Sequence, residues 1–474
     1  MPPAPCFLLP ASCFLHDISP PTRPPTPMPV HTRILASALA LGATAASAQA
    51  PSSTSRPPIR PLGAVQATST DSLGNVTNIR ALPGGKLLVN DITGRRVLLM
   101  DSTFKIIKVV ADTTPGNPNA YGQGFASLIA FRGDSTLFVD AQSLSMLVID
   151  ANGEVARVMS VPRTQDAMML AAGGVGAGAF YSNGHLVYRG MPGMRMQMVG
   201  GAPQMPTMPD TMAITRVNLQ TRVVDTLGFV KIPKTNTNIQ RTDDGKMNIS
   251  IEVNPLPMVD EWAVMPNGDV AFVRGRDYHV DWVSPDGTRR SSPKMAFDWK
   301  RLTDEDKAKL VDSVKTILDK QAAANPNQGQ AMAAAFGAAM GGGAGAGRPQ
   351  VVMRFETRGG EAGGAPMRAP QISAPKINVV SASELPDYQP PFFATSTRAD
   401  ADGNLWVLTI PTKPQPAGSV YDVINSKGEV TERVLVPEGR QILGFGPGGV
   451  VYLAQRAAPG AATPFTTIER ARVK

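Results

Sequence analysis

The stretch from Leu87 to Asp101, LLVNDITGRRVLLMD, contains two apolar runs on either side of a polar middle, and PGG (83–85) lies just before it. Runs of Leu, Val and Met bounded by turn-forming residues predict β-strands joined by a short connection. The stretch LFVDAQSLSMLVID (137–150) has the same order, and its Asp140 corresponds to Asp91. We therefore interpret Asp91 and Arg95 as part of a hairpin connection and not as a pair of active-site residues.

A turn followed by an apolar strand occurs six times along the chain. The copies are LPGGKLLV (82–89), RGDSTLFV (132–139), SNGHLVY (182–188), MPNGDVAFV (265–273), ADGNLWV (401–407) and GPGGVVYL (446–453). Units of three or four antiparallel strands, repeated at about 45 to 50 residues, are typical of β-propellers. We therefore predict an all-β fold over residues 61–474, a six-bladed β-propeller of four-stranded antiparallel blades.

A closed ring of blades needs its two ends joined, because an unpaired edge strand favours aggregation. The last copy leaves room for only one further strand before the end of the sequence. We predict that PLGAVQAT (61–68) supplies the missing outer strand of the last blade.

The order GKLLVNDxxxxRVLLMD (85–101) and the stretch ADADGNLWV (399–407) resemble the NHL-repeat family and the related TolB-like and SMP-30-like six-bladed propellers. This resemblance implies a propeller whose ligand site lies at the central channel. Calcium-dependent lactonases of this group have acidic and amide residues there, so the resemblance makes calcium a candidate cofactor. Their pattern is not found residue by residue in this sequence.

The N-terminal region predicts export. Residues 1–27 contain nine prolines and are interpreted as a non-structural upstream extension, which leaves Met1 or Met28 as the start. From Met28, a basic Arg33, an apolar run and small residues up to Ala48 match a secretory signal peptide over 28–48. Cleavage after Ala48 would give a periplasmic or secreted protein without a transmembrane anchor, and 49–60 is predicted to be a disordered linker.

The composition of the mature chain excludes several functions. Both cysteines, Cys6 and Cys13, precede the predicted cleavage site, so disulfides and thiolate chemistry are excluded after cleavage. Only two of the four histidines, His185 and His279, follow it. The net charge of +8 is spread along the chain and not clustered with aromatic residues, so no nucleic-acid partner is expected.

Two insertions interrupt the repeat. A Met-rich loop over 189–212 contains seven methionines, which favours either a hairpin extension or a Cu(I) site. A helix is predicted over 299–322, with a capping box at Thr303–Asp306 and an apolar stripe from Leu310 to Leu318. Residues 323–385, rich in glycine and alanine, are predicted to form a disordered low-complexity loop.

Ligand sites on propellers gather where the loops enter the innermost strands, so the residues ahead of the six turns are candidates. Together with His279, the ligand-binding candidates are Asn78, Arg80, Ser127, Asp260, Glu261, Trp262, Thr395 and Ser396. Asp260, Glu261 and Trp262 form the richest cluster. The alternative is that Trp262 packs between blades and that both acids are solvated, while His279 and Asp281 stabilise a strand edge.

These observations favour a monomeric binding or scaffolding protein of the bacterial cell envelope, with a protein or glycan partner at the channel mouth. Two alternatives are a metal-dependent hydrolase or lactonase centred on Asp260 and Glu261, and a copper-binding protein that uses Met191–Met212. The catalytic residues, substrate and cofactor are not specified by the sequence.

Overall fold

The computed structural model describes residues 56–71, 73–114, 116, 119–122, 126–171, 180–190, 197–199, 202–204, 209–234, 236–241, 247–324, 376–456 and 466–473. The predicted upstream extension, the signal peptide and the first part of the predicted linker (49–55) lie outside these residues.

Two short strands, β1 (Ile59–Pro61) and β2 (Ala67–Thr68), begin the described chain, and three four-stranded antiparallel sheets follow. The first sheet contains β3 (Val76–Ala81), β4 (Leu87–Asp91), β5 (Arg96–Met100) and β6 (Ile106–Asp112). The second contains β7 (Ala126–Ala130), β8 (Thr136–Asp140), β9 (Ser145–Ile149) and β10 (Val155–Ser160). The third contains β11 (Phe180–Ser182), β12 (His185–Arg189), β15 (Thr211–Asn218) and β16 (Val224–Lys231).

Three more sheets follow along the chain, each with four antiparallel strands, and the fifth sheet also has the parallel β1 at its edge. The fourth contains β19 (Asp260–Val264), β20 (Val270–Arg274), β21 (His279–Val283) and β22 (Arg289–Ser291). The fifth contains β24 (Thr397–Ala399), β25 (Leu405–Leu408), β26 (Gly418–Ile424) and β27 (Val430–Pro437). The sixth contains β28 (Arg440–Gly446), β29 (Val450–Arg456), β30 (Thr466–Arg472) and the N-terminal β2.

The remaining elements are insertions into this series. A hairpin joins β13 (Gln197–Val199) to β14 (Ala202–Gln204), and a small sheet contains β17 (Asn236–Arg241), β18 (Met247–Val253) and β23 (Lys376–Val379). The helices are α1 (Ala167–Ala171) and α2 (Asp304–Ala324). No helix in the described part of the chain is long and apolar enough to cross a membrane.

A buried apolar cluster lies between each pair of consecutive sheets, and another lies between the sixth and the first. Strand β4 shows how one strand serves two clusters: Leu88 faces the second sheet, whereas Leu87 and Val89 face the sixth. A strand buried on both faces is apolar without alternation, which explains the run LLV. This all-β arrangement of four-stranded antiparallel sheets fits a β-propeller.

The polar middle of Leu87–Asp101 is a structural connection between β4 and β5. Asp91 is fully buried, and its carboxylate accepts hydrogen bonds from the backbone N–H groups of Gly74, Asn75 and Gly94. A Cβ added at Gly94 would collide with that carboxylate, so the close approach requires glycine. Asp140 accepts equivalent bonds in the second sheet, as the repeat predicts.

The N-terminal segment completes the last two sheets. Strand β2 pairs antiparallel with β30, which confirms the predicted outer strand of the last sheet. Strand β1 pairs parallel with β27, so residues 56–60 do not belong to a disordered linker. This correction has a clear cause, because Arg56 donates two hydrogen bonds of 3.0 Å to the buried carboxylate of Asp422.

The structure confirms the predicted helix and its cap, but α2 covers Asp304–Ala324 and not 299–322, because the cap at Thr303 sets its first turn. Thr303 Oγ1 accepts the amide of Asp306 at 3.1 Å, and Asp306 Oδ2 accepts the amide of Thr303 at 3.0 Å. The predicted apolar stripe is only partly covered, since Ile317 is 53% exposed. The prediction of a single helix is corrected by the short α1, whose Leu170 and Ala171 are buried between the second and third sheets.

The two predicted loops contain some regular structure. Hairpin β13–β14 lies within the Met-rich insertion, as one interpretation predicted, but most of the methionines lie outside the described residues. The end of the predicted low-complexity loop is corrected, because β23 pairs parallel with β18 through four residue pairs. Residues 325–375, including the rest of that loop, lie outside the described residues.

Candidate functional site

The three adjacent candidates Asp260, Glu261 and Trp262 begin strand β19 and point in alternating directions. Asp260 Oδ2 accepts a hydrogen bond of 2.9 Å from Arg274 Nη1, and Oδ1 accepts the Gly275 amide at 3.2 Å. Trp262 is 2% exposed and packs in the cluster between the third and fourth sheets. The alternative interpretation therefore fits Trp262, while Asp260 is partly buried and paired with an arginine.

Three other candidates bind backbone carbonyls, although Oδ1 of Asn78 and Nε of Arg80 are buried without a hydrogen-bond partner among the described residues. The bonds are Asn78 Nδ2 to Leu128 O (2.9 Å), Arg80 Nη1 to Ala81 O (3.0 Å) and Ser127 Oγ to Leu170 O (2.8 Å). The bond of Asn78 connects β3 with β7, and the bond of Ser127 connects β7 with α1. None of the three lies beside the cluster at Asp260–Trp262 in sequence or makes a hydrogen bond to it.

His279 and Asp281 lie together on strand β21, as their spacing predicted. His279 Nε2 is 3.3 Å from Asp281 Oδ1, and its Nδ1 is 2.7 Å from Asp277 Oδ1. Asp281 also accepts a hydrogen bond of 2.7 Å from Arg274 Nε. The contacts of His279 and the ion pair between Arg274 and Asp281 connect neighbouring residues of β20 and β21, which is compatible with the structural alternative.

Glu261 has a different environment from its neighbours. It is 4% exposed and faces the fifth sheet, where its Oε1 accepts the backbone N–H of Thr395 at 2.8 Å. Its second oxygen, Oε2, is buried and accepts no hydrogen bond of standard geometry from the described residues, although the backbone N–H of Thr397 also interacts with the carboxyl group. A buried carboxyl oxygen without a partner is costly in a folded protein and marks a candidate ligand site.

Burial raises the pKa of Glu261 from 4.5 to about 8, against the opposing effects of the Thr395 amide, the positive charge of Arg189 and the Thr397 amide. The carboxyl is therefore mostly protonated at neutral pH. In that form it has an O–H donor as well as an acceptor oxygen, so it can donate a hydrogen bond or a proton.

The segment opposite Glu261 is strained and carries further unpaired polar atoms. Thr395 has φ of +67°, a left-handed conformation that is unfavourable for a β-branched residue. The hydroxyls of Ser396 and Thr397 are buried and have no hydrogen-bond partner among the described residues, and the same holds for Nε of Arg189. Glu261, Arg189, Thr395, Ser396 and Thr397 are hereafter called the Glu261 site.

The Glu261 site lies where the first strands of the fourth and fifth sheets meet. Glu261 is the second residue of β19 and Thr397 the first of β24, and these two strands are in contact. The site thus brings together three predicted residues, Glu261, Thr395 and Ser396. Arg189 and Thr397 were not among the candidates, because neither precedes a first strand in the way that defined the candidates.

The carboxylates of Asp260 and Glu261 do not converge on one point. Across the described residues, no group of three or more His, Cys, Asp and Glu side chains is placed to hold a metal ion. Calcium takes about six to eight oxygen ligands, several of them carboxylates. The residues present therefore do not fit the predicted calcium site or a metal-dependent hydrolase centred on these two acids.

Comparisons with known proteins gave no family model and no curated protein that matches the sequence. Similar solved structures include a gluconolactonase from Xanthomonas campestris (TM-score 0.34, 11% identity, covering 87% of this chain and 99% of that chain). Others are the calcium-binding protein regucalcin from Agrobacterium tumefaciens (0.36, 10%, 88% and 98%) and virginiamycin B lyase from Staphylococcus aureus (0.29, 10%, 85% and 85%). Similarity at this level assigns none of their activities to this chain.

Proposed function

We propose that this protein is an exported six-bladed β-propeller that binds a hydroxylated ligand, the end of a glycan, at the Glu261 site. The six sheets and the cluster between the sixth and the first support the blade number. The signal peptide predicted over 28–48 supports export to the periplasm or beyond. The observation that carries the proposal is the buried Oε2 of Glu261, which accepts no hydrogen bond of standard geometry from the described residues, on a strand that contacts the segment holding the unpartnered hydroxyls of Ser396 and Thr397.

The chemistry of the Glu261 site suits sugar hydroxyls. A protonated carboxyl and two hydroxyls both donate and accept hydrogen bonds, and Arg189 adds a donor with its Nε unpaired among the described residues. A sugar hydroxyl also does both, so it can satisfy several of these groups together. Binding would relieve the cost of leaving them unpaired, which amounts to about 1–3 kcal/mol per buried group.

The proposal is tested by screening the purified protein against an oligosaccharide array and measuring the affinity of each hit by calorimetry. The variant carries Ser396→Ala and Thr397→Val, which remove the two hydroxyls without leaving a buried charge. We expect at least a tenfold loss of affinity, corresponding to about 1.4 kcal/mol.

Thr136→Val is the matched control, because Thr136 is fully buried in the second sheet and its hydroxyl also has no partner among the described residues. The control is expected to bind as the wild type does. An array without hits, or a glycan that binds the double variant and the wild type equally, would show that the Glu261 site is not the glycan site.

A further inference from the structure

A cleft lies between the first and the sixth sheets, away from the Glu261 site. Its volume is about 430 Å³, and its walls include the turn after β3 and strands β29 and β30. Clefts of about 300–1,000 Å³ are typical of small-molecule sites. It lies at the opposite end of the first strands, because Leu82–Gly85 follow β3 whereas Glu261 and Thr395 lie at or before strand starts.

Four side chains form one wall of this cleft, of which two are cationic, one is aromatic and one is aliphatic. Arg470 and Arg472 are alternate residues of β30 and so lie on one face, where they pair with Tyr452 and Val450 of β29. The cationic heads therefore stand beside an aromatic and an aliphatic side chain. Leu82 and Pro83 add apolar surface from the first sheet.

The positive charge of the cleft is not neutralised within it. None of the residues that line it is an aspartate or a glutamate. Arg470 is held by the carbonyl of Ser102 at 3.3 Å and by the face of Phe104, with its guanidinium 5.7 Å from the ring centre. The side chain of Arg472 has no hydrogen bond or ion pair to any residue that the structure describes.

The rim of the cleft is open to a ligand. An added Cβ at Gly84 would have no atom within 4 Å, so the turn presents free space on that side. An arginine pair beside an apolar floor is complementary to a molecule that has an anionic group at one end and an apolar body at the other.

We propose that this cleft binds a small organic anion, a carboxylate, sulfonate or phosphate ester carried on an aromatic or aliphatic body. Arg470 and Arg472 bind the anionic group, and Tyr452, Val450 and Leu82 cover the apolar body. The proposal is independent of the function proposed for the Glu261 site.

The test uses the full protein and the fluorescent probe anilinonaphthalene sulfonate, which is then displaced by phenylbutyrate. The variant Arg470→Gln/Arg472→Gln is expected to bind phenylbutyrate about tenfold more weakly, the size expected for charge-assisted hydrogen bonds that are partly exposed to solvent. Arg472→Gln alone is expected to show part of this loss with an unchanged melting temperature, because Arg472 is exposed. Arg157→Gln, at an exposed position of β10, is the control and should bind as the wild type does.

Two further competitors define the ligand class. Phenylbutanol, which lacks the charge, and inorganic sulfate, which lacks the apolar body, are both expected to displace the probe poorly. Equal binding of phenylbutyrate by the wild type and the double variant would overturn the proposal. Displacement by phenylbutanol or by sulfate as effective as by phenylbutyrate would overturn it as well.

Discussion

Replacing Glu261 by glutamine is expected to stabilise the protein, by an amount that increases with pH. Glutamine keeps the shape of the side chain and an oxygen for the Thr395 amide, but it does not ionise. In the wild type, the folded state holds a proton on Glu261 up to a pKa of about 8, whereas the unfolded chain releases it near 4.5. Because the folded state binds more protons in this window, wild-type stability falls as pH rises through it.

The size of the effect follows from the width of the window. Each pH unit between 4.5 and 8 costs the wild type about 1.4 kcal/mol of unfolding free energy at this one group. The difference in unfolding free energy between Glu261→Gln and the wild type should be close to zero at pH 4.5. It should reach about 3 kcal/mol at pH 7 and about 5 kcal/mol above pH 8.

The assay is urea unfolding of both proteins at a series of pH values, followed by tryptophan fluorescence. Glu469→Gln is the control, because Glu469 is also buried (3% exposed) but accepts two hydrogen bonds from Arg440. That substitution leaves an arginine without its partner and should destabilise the protein by about 2–4 kcal/mol. A difference between Glu261→Gln and the wild type that stays constant from pH 5 to pH 9 would refute the assignment of a protonated Glu261.

Three further outcomes are expected. Asp422→Asn should lower the unfolding free energy by about 3–5 kcal/mol in urea titrations, because the buried carboxylate of Asp422 binds Arg56, Arg433 and the Tyr278 hydroxyl. Removal of residues up to 68 should cause concentration-dependent light scattering, because β30 loses its outer partner and becomes an exposed edge. Protein recovered from a periplasmic fraction should have the mass of a chain whose first residue is Gln49. An uncleaved leader would contradict the predicted export.

The sequence predicted the repeat because the signal is local. Each copy combines a turn and a fully buried strand, so Leu87–Asp91 and its counterparts stand out without any knowledge of the tertiary structure. The sheet of β17, β18 and β23 was not predicted, because neither NTNIQR nor MNISIEV carries a copy of the turn that defined the repeat, and NTNIQR has a single apolar residue. Its third strand comes from beyond a long insertion, and such a pairing leaves no local pattern.

The Glu261 site was predicted only in part for a similar reason. Position ahead of a turn selected Glu261, Thr395 and Ser396 as separate candidates, and the structure places Glu261 against the Thr395 amide. Arg189 ends β12 in the third sheet, and only the packing of that sheet against the fourth brings its charge near Glu261. The alternation of side chains along a strand predicts that Asp260 and Glu261 point in opposite directions. The sequence does not predict the strand register that places Arg274 opposite Asp260.

The pairing of β2 with β30 also has a kinetic consequence. The amide of Ile468 donates to the hydroxyl of Ser69 across 399 positions of sequence, and Arg56 reaches Asp422 across 366. Contacts of such separation form late and slow folding, since the loop between them must first be closed. Arg56 and Ser69 therefore leave the ribosome long before Asp422 and Ile468, and the sheet that contains β2 is completed only after β30 has been synthesised.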